Sequence, residues 1–153
     1  MKKLFAILAA TALSLGLWSC GPVENEEPQL PITSANISGV WKLAMWNGVA
    51  VAEDMVVYID FVNSGRTYTL YQNVNSSVME VITGTYNLYT NKIGQSILRG
   101  VYDYSDSTEW SHRYMVSRLT AKEMALTVYQ EGSAISSDAD VFTYTRAELP
   151  DFE

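Results

Sequence analysis

The chain has almost nothing with which to cross-link or to hold a metal. Cys20 is its one cysteine and His112 its one histidine, among 153 residues. A lone cysteine makes no internal disulfide, and a lone histidine without cysteine support leaves no zinc ligand set. A Ser-His-acid triad would have to run through His112. That residue sits between Ser111 and Arg113 in an alternating stretch with no nucleophile motif, and reads as a surface histidine. Glycine-rich phosphate loops and dinucleotide fingerprints are missing as well. Cations are scarce: 10 Lys and Arg face 17 Asp and Glu, for a net charge of −7. Nucleic acids and anionic lipid surfaces are bound by cationic patches, so neither is an expected partner. The reading is of no catalytic residue, no metal and no cofactor.

Helix is the next absence. Beyond residue 20 no run of ten or more residues repeats with the 3.6 period. The one long apolar stretch, residues 4–18, is short for a bilayer span of ~20 residues. Behind Lys2 and Lys3 it has instead the make-up of a secretory leader, residues 1–19. It ends in Leu17-Trp18-Ser19-Cys20, which resembles the bacterial lipobox, with Trp18 where a small residue is usual. That resemblance implies cleavage before Cys20, a diacylglycerol on its thiol and acylation of the new amine. Lipidation accounts for the solitary cysteine. Each buried methylene adds about 0.8 kcal/mol of membrane affinity, so two or three chains hold the protein permanently where one would not. Without Lys2 and Lys3, eight cations face the seventeen acids, a net charge near −9.

Residues 20–36 contain Pro22, Pro28 and Pro31 with Glu24, Glu26 and Glu27. Such composition buries little surface, and the segment reads as an acidic tether stiffened by proline. Its acids just behind the lipid site resemble the surface-export signal of lipoproteins from Bacteroides-like bacteria. The expected location is the outer membrane, lipid-anchored and facing outward, with the periplasmic face as the alternative.

What is abundant is aromatic and β-branched residues, with 10 Tyr, 4 Trp and 4 Phe, in short alternating runs between turn signals. Residues 40–46 put Trp41, Leu43 and Met45 on one face, and Asn47-Gly48 is a two-residue hairpin signal. Residues 55–61 align Met55, Val57, Ile59 and Phe61. Further runs are 67–72 with Tyr68 and Leu70, 78–88 with Ile82, Gly84, Tyr86 and Leu88, 96–102, 110–119, the stretch with Met124, Leu126 and Val128, and 141–146. Eight strands joined by short loops pair antiparallel in sequence order. Such a meander leaves two open edges unless it closes, so the expected fold is an all-β, eight-stranded up-and-down barrel over residues 37–153, its last strand ending near Glu148. An open two-sheet sandwich is the alternative. Eight strands enclose room for side chains or for one small ligand.

Gly39 and Trp41 on the first strand, within "ISGVWKL", resemble the Gly-x-Trp of lipocalin-like domains. Arg146 ends the eighth run at the place of the arginine that packs on that tryptophan. "TGTYNL" (83–88) and "YMVSRLTAKEMALTV" (114–128) resemble the small lipocalin-like lipoproteins of gut Bacteroidales. The resemblance implies a barrel closed at one end by Trp41 and Arg146 through a cation–π contact of ~0.5–2 kcal/mol. The chain is shorter than secreted lipocalins and lacks their disulfide and C-terminal helix, which argues against a large cavity.

Trp46 and Trp110 sit at strand ends, where barrel mouths form, and Tyr68, Tyr102 and Tyr114 have the phase to line the interior. These five are the candidate ligand residues, weighed against plain core packing. The functional expectation is a membrane-anchored, non-enzymatic module that binds a small apolar or amphipathic molecule at its mouth. The alternative is a structural or protein-interaction lipoprotein with a filled barrel. Asp103, Asp106 and Glu109 also gather oxygen ligands of the kind that hold Ca²⁺, without the spacing of an EF-hand. Residues 106–108 resemble an O-glycosylation site of Bacteroides-like exported proteins.

Overall fold

The structure, a computed structural model, describes residues 27–74, 76–104 and 108–152. The leader, Cys20, the first part of the tether and Asp106 lie outside these residues. The elements are one turn of helix, α1 (Ser34–Ile37), and the strands β1 (Gly39–Trp46), β2 (Val49–Ala50), β3 (Val57–Val62), β4 (Thr67–Gln72), β5 (Glu80–Thr90), β6 (Ser96–Tyr102), β7 (Arg113–Leu119), β8 (Glu123–Tyr129) and β9 (Val141–Arg146). No helix among the described residues is long and apolar enough to cross a membrane.

Eight of the strands pair antiparallel in the order β1-β3-β4-β5-β6-β7-β8-β9, and β9 returns to β1. The barrel is closed, as the meander argument requires. Side chains alternate inward and outward along each strand; in β3, Val57, Ile59 and Phe61 are buried while Tyr58 and Asp60 are less so. The inward set makes one core, centred on Trp41, Phe61, Tyr68, Tyr86, Leu98, Leu119, Met124 and Leu126.

Three local departures from the alternation matter. The turn after β1 forms at Asn47 and Gly48, both with positive φ (51° and 76°), but its return strand is only the two residues of β2. The barrel neighbour of β1 is β3. In β1 itself a bulge at Ala44 shifts the register against β9, because Leu43 faces Tyr144 and Met45 faces Thr143. The bulge reverses the phase. Met45, expected on the face of Trp41 and Leu43, falls out of that set, and Trp46 takes the inward phase opposite Phe142. Between β6 and β7, Leu98 faces Tyr114 and Val101 faces Glu109. Three steps on one side thus oppose five on the other, so two residues are extra. Strand β7 starts at Arg113 rather than at Trp110, and Ser111 and His112 stand exposed in the irregular segment before it.

One end of the barrel is sealed. Trp41 is fully buried and its indole N–H donates to the Ile37 carbonyl at 2.7 Å. The Arg146 guanidinium lies 3.7 Å above the Trp41 ring. It donates to the carbonyls of Ser38 at 2.6 Å and Asn36 at 3.1 Å. Gly39 is required twice over: its φ is +107°, and a Cβ there would lie 2.8 Å from an Arg146 nitrogen. The packed domain begins earlier than Ile37. Leu30 N–H donates to the Leu119 carbonyl at 2.8 Å, and the Gln29 side chain accepts from Leu119 N–H at 3.2 Å. Glu27 pairs with Lys122, and Leu30 and Ile32 pack on the core. Residues 27–33 are therefore a strap across the sealed end. At the other terminus Phe152 stacks on Tyr71 and meets Tyr58 edge-on, covering the outer wall of β3 and β4.

Candidate functional site

The opposite end, the mouth, is framed by the turn at Asn47, the end of β6, the segment leading into β7 and the start of β9. Below it two glycines let aromatic rings into the barrel. A Cβ on Gly100 would lie 2.0 Å from the Trp110 ring, and one on Gly84 would lie 2.6 Å from the Tyr68 hydroxyl. Trp110 reaches this place because its backbone N–H donates to the Gly100 carbonyl at 2.9 Å. Its indole N–H donates to the Tyr68 hydroxyl at 2.8 Å, with the rings edge to face at 5.0 Å. Tyr68 is 1% exposed, and burial pushes its phenol up to about 12. The pair is a plug halfway up the barrel, each polar tip satisfied by the other.

Above the plug is a cavity of about 100 Å³ lined by Ile59, Leu70, Tyr102, Trp110, Ser111, Tyr114, Leu126 and Tyr144. Rings meet at steep angles around it: Trp110 and Tyr114 lie 6.0 Å apart at 69°, and Tyr114 and Phe142 lie 6.0 Å apart at 82°. Loss of water raises the phenols of Tyr102, Tyr114 and Tyr144 above their ordinary range. The neighbouring Tyr104 adds to the shift of Tyr102, Tyr102 and Asp140 to that of Tyr114, and Tyr114 to that of Tyr144. All three phenols are therefore neutral at physiological pH. On the rim, the Asp140 carboxylate accepts from Asn47 at 2.7 Å and from the Trp46 indole at 3.1 Å. These bonds hold its carboxyl below the ordinary aspartate range.

Of the five residues expected to meet a ligand, Tyr102, Trp110 and Tyr114 line this cavity. Tyr68 lies beneath it as part of the plug. Trp46 stays on the rim, 45% exposed and tilted against Phe142 at 5.4 Å. Sequence reasoning missed Tyr144, although the signal was there: it stands two residues before Arg146 and so shares its inward phase. The cavity is smaller than the ~300 Å³ and above typical of drug-sized ligand sites. Roomier hollows lie on the outer wall. One of about 700 Å³ is lined by residues that include Glu109, His112, Arg113 and Glu131, and another of about 550 Å³ by residues that include Tyr89, Asn91, Tyr129 and Gly132. In the first the charges are spent on one another: Glu109 holds Arg99 at 3.2 Å and Arg113 at 3.5 Å, and Arg113 also pairs with Glu131; the second is lined mainly by apolar surface, with Lys92 among its lining residues. The mouth cavity is distinguished by its lining, because Tyr102, Trp110, Tyr114 and Tyr144 also pack on the barrel core.

Among the described residues no group of three or more His, Cys, Asp or Glu is arranged to hold a metal ion. The Asp103–Glu109 candidate includes Asp106, outside the described residues. Compared with protein-family models, with curated proteins and with solved structures, the chain matches none. The likeness to lipocalin-like domains therefore rests on the chain's own residues.

Proposed function

We propose that this is a lipid-anchored, lipocalin-like binding protein of the outer membrane surface, non-enzymatic, whose mouth cavity takes a small molecule or one group of a larger one. The observation that carries the reading is the 100 Å³ cavity walled by Tyr102, Trp110, Tyr114 and Tyr144 above a plugged core. Aliphatic side chains and phenols line it together, the mixture expected of a ligand site. The anchor reading rests on Leu17 to Cys20 and on the acidic tether, as the sequence analysis argues. The strap supports it geometrically. It meets the barrel at the sealed end through Glu27 and Lys122, the end away from the mouth. Binding rather than catalysis is favoured because His112 is exposed, away from the cavity lining.

A protein-interaction role is the second reading, and one observation favours it. The β1–β2 hairpin presents Met45, Trp46 and Val49 to solvent, 36%, 45% and 70% exposed, on the mouth rim. Native mass spectrometry of the protein purified from its own membranes separates the two. A bound small molecule that is lost in Trp110→Leu supports the cavity reading. An empty barrel that travels with a second protein overturns it in favour of the rim.

A further inference from the structure

We infer that the mouth cavity is an aromatic cage for a small ammonium group, such as a methylated amine head. The inference rests on the cavity reading above and names its ligand class.

The first argument is the wall. Three of the lining rings, Tyr102, Tyr114 and Tyr144, are phenols and the fourth is the Trp110 indole. Trp110 and Tyr114 meet at 69°, a corner rather than a flat stack, and Phe142 backs Tyr114 from outside the lining. The faces of such rings carry negative quadrupole charge, and a cation placed over them is attracted. The phenols stay neutral, as their raised titration requires, so they offer faces and lone pairs without themselves carrying charge.

The second argument is charge. No Lys or Arg lines the cavity. Two acids stand near it: Asp140 is close enough to bias Tyr114, and Asp103 to bias Tyr68. Leaving aside Glu109 and Glu131, which pair with Arg99 and Arg113, the four connections at the mouth end (47–56, 73–79, 103–112 and 130–140) hold Glu53, Asp54, Asp103, Asp138 and Asp140 among the described residues, and no Lys or Arg. The nearby Arg99 and Arg113 are engaged by Glu109 and Glu131 on the outer wall. A rim of one sign concentrates ligands of the other. The mouth therefore repels carboxylates, including fatty-acid anions, and draws cations in.

The third argument is size. Benzene occupies an apolar cavity of ~150 Å³. A cavity of about 100 Å³ that opens at the mouth takes one compact head group, with the rest of the molecule outside. A trimethylammonium head is compact, weakly hydrated and able to meet several rings at once. A bare ammonium ion would be costlier to strip of water.

The test is calorimetric titration of the full-length protein with three probes of matched shape: choline, its neutral isostere 3,3-dimethylbutan-1-ol, and the anion 3,3-dimethylbutanoate. Choline is expected to bind severalfold more tightly than the neutral alcohol, and the anion not at all. Asp140→Asn keeps an acceptor for Trp46 and Asn47 while removing the charge. It should weaken choline severalfold and leave the alcohol unchanged. Tyr114→Leu should weaken both and shows whether they share the cavity. Equal affinity for choline and the alcohol would overturn the ammonium inference and leave the cavity reading standing. Failure of both to bind would overturn the two together.

Discussion

The two ends of this barrel are built from the same residue types and do opposite things with them. At the sealed end an aromatic ring, a cation and three backbone carbonyls satisfy one another around Trp41, and nothing is left to offer a ligand. At the mouth, four rings surround a void and carboxylates stand back on the rim. The sealed end holds its arginine over the ring as a permanent occupant; the mouth has rings and no cation. The difference teaches that aromatic richness in a barrel does not of itself mark a ligand site. What marks it is rings around a void with no Lys or Arg among the residues that line it.

The largest effect expected from breaking this contrast is at the sealed end. Trp41→Ala removes a fully buried ring and should cost about 3–5 kcal/mol in chemical denaturation. A loss below about 1 kcal/mol would mean that Trp41 is not the keystone of that end. At the plug, Gly100→Ala drives a methyl into the Trp110 ring. It should cost about 1–3 kcal/mol by overpacking and change the Trp110 fluorescence, because the ring must move. An unchanged spectrum would show that Trp110 does not sit against Gly100. Tyr68→Phe leaves the ring in place and strips the acceptor from the Trp110 indole. About 1 kcal/mol is expected, measured in the same way.

The smallest effect is on the rim and depends on pH. The bonds from Asn47 and Trp46 depress the Asp140 carboxyl in the folded state. A depressed folded pKa contributes stability above the unfolded value and loses it as pH falls through the folded one. Wild type should thus exceed Asp140→Asn slightly in stability at neutral pH, and the gap should close in acid, below the ordinary aspartate range. A gap that widens in acid would contradict the bonding seen at the rim.

Much of the architecture was legible because side chains in a strand alternate with period two and turns have their own residues. Tyr68, Leu70, Ile82, Gly84, Tyr86 and Leu88 all keep the phase read from the sequence, and Gly39, Trp41 and Arg146 meet. The mouth was harder. A bulge leaves no residue signature of its own, so nothing at Ala44 announced that Met45 and Trp46 exchange phase. The two extra residues at Ser111 and His112 hid the fact that Trp110 pairs with Gly100 and turns inward. The strap was missed for another reason. Its prolines and glutamates suit a solvated tether, and only Leu30 and Ile32 pack on the core, through contacts with residues some ninety positions away. Long-range burial of two side chains does not show in local composition. Cavity volume, likewise, follows from how Gly84 and Gly100 admit Tyr68 and Trp110, which no strand pattern gives.

From Cys20 onward the chain has three tryptophans, Trp41, Trp46 and Trp110, and their indole N–H groups report on both ends of the barrel at once. The most direct test of the account is therefore an NMR titration of tryptophan-labelled protein with choline, following these three signals. The account predicts that the Trp110 signal shifts saturably, that Trp46 on the rim follows more weakly, and that Trp41, bonded to the Ile37 carbonyl, does not move. A titration in which Trp41 shifts as far as Trp110, or in which Trp110 does not respond, would contradict it.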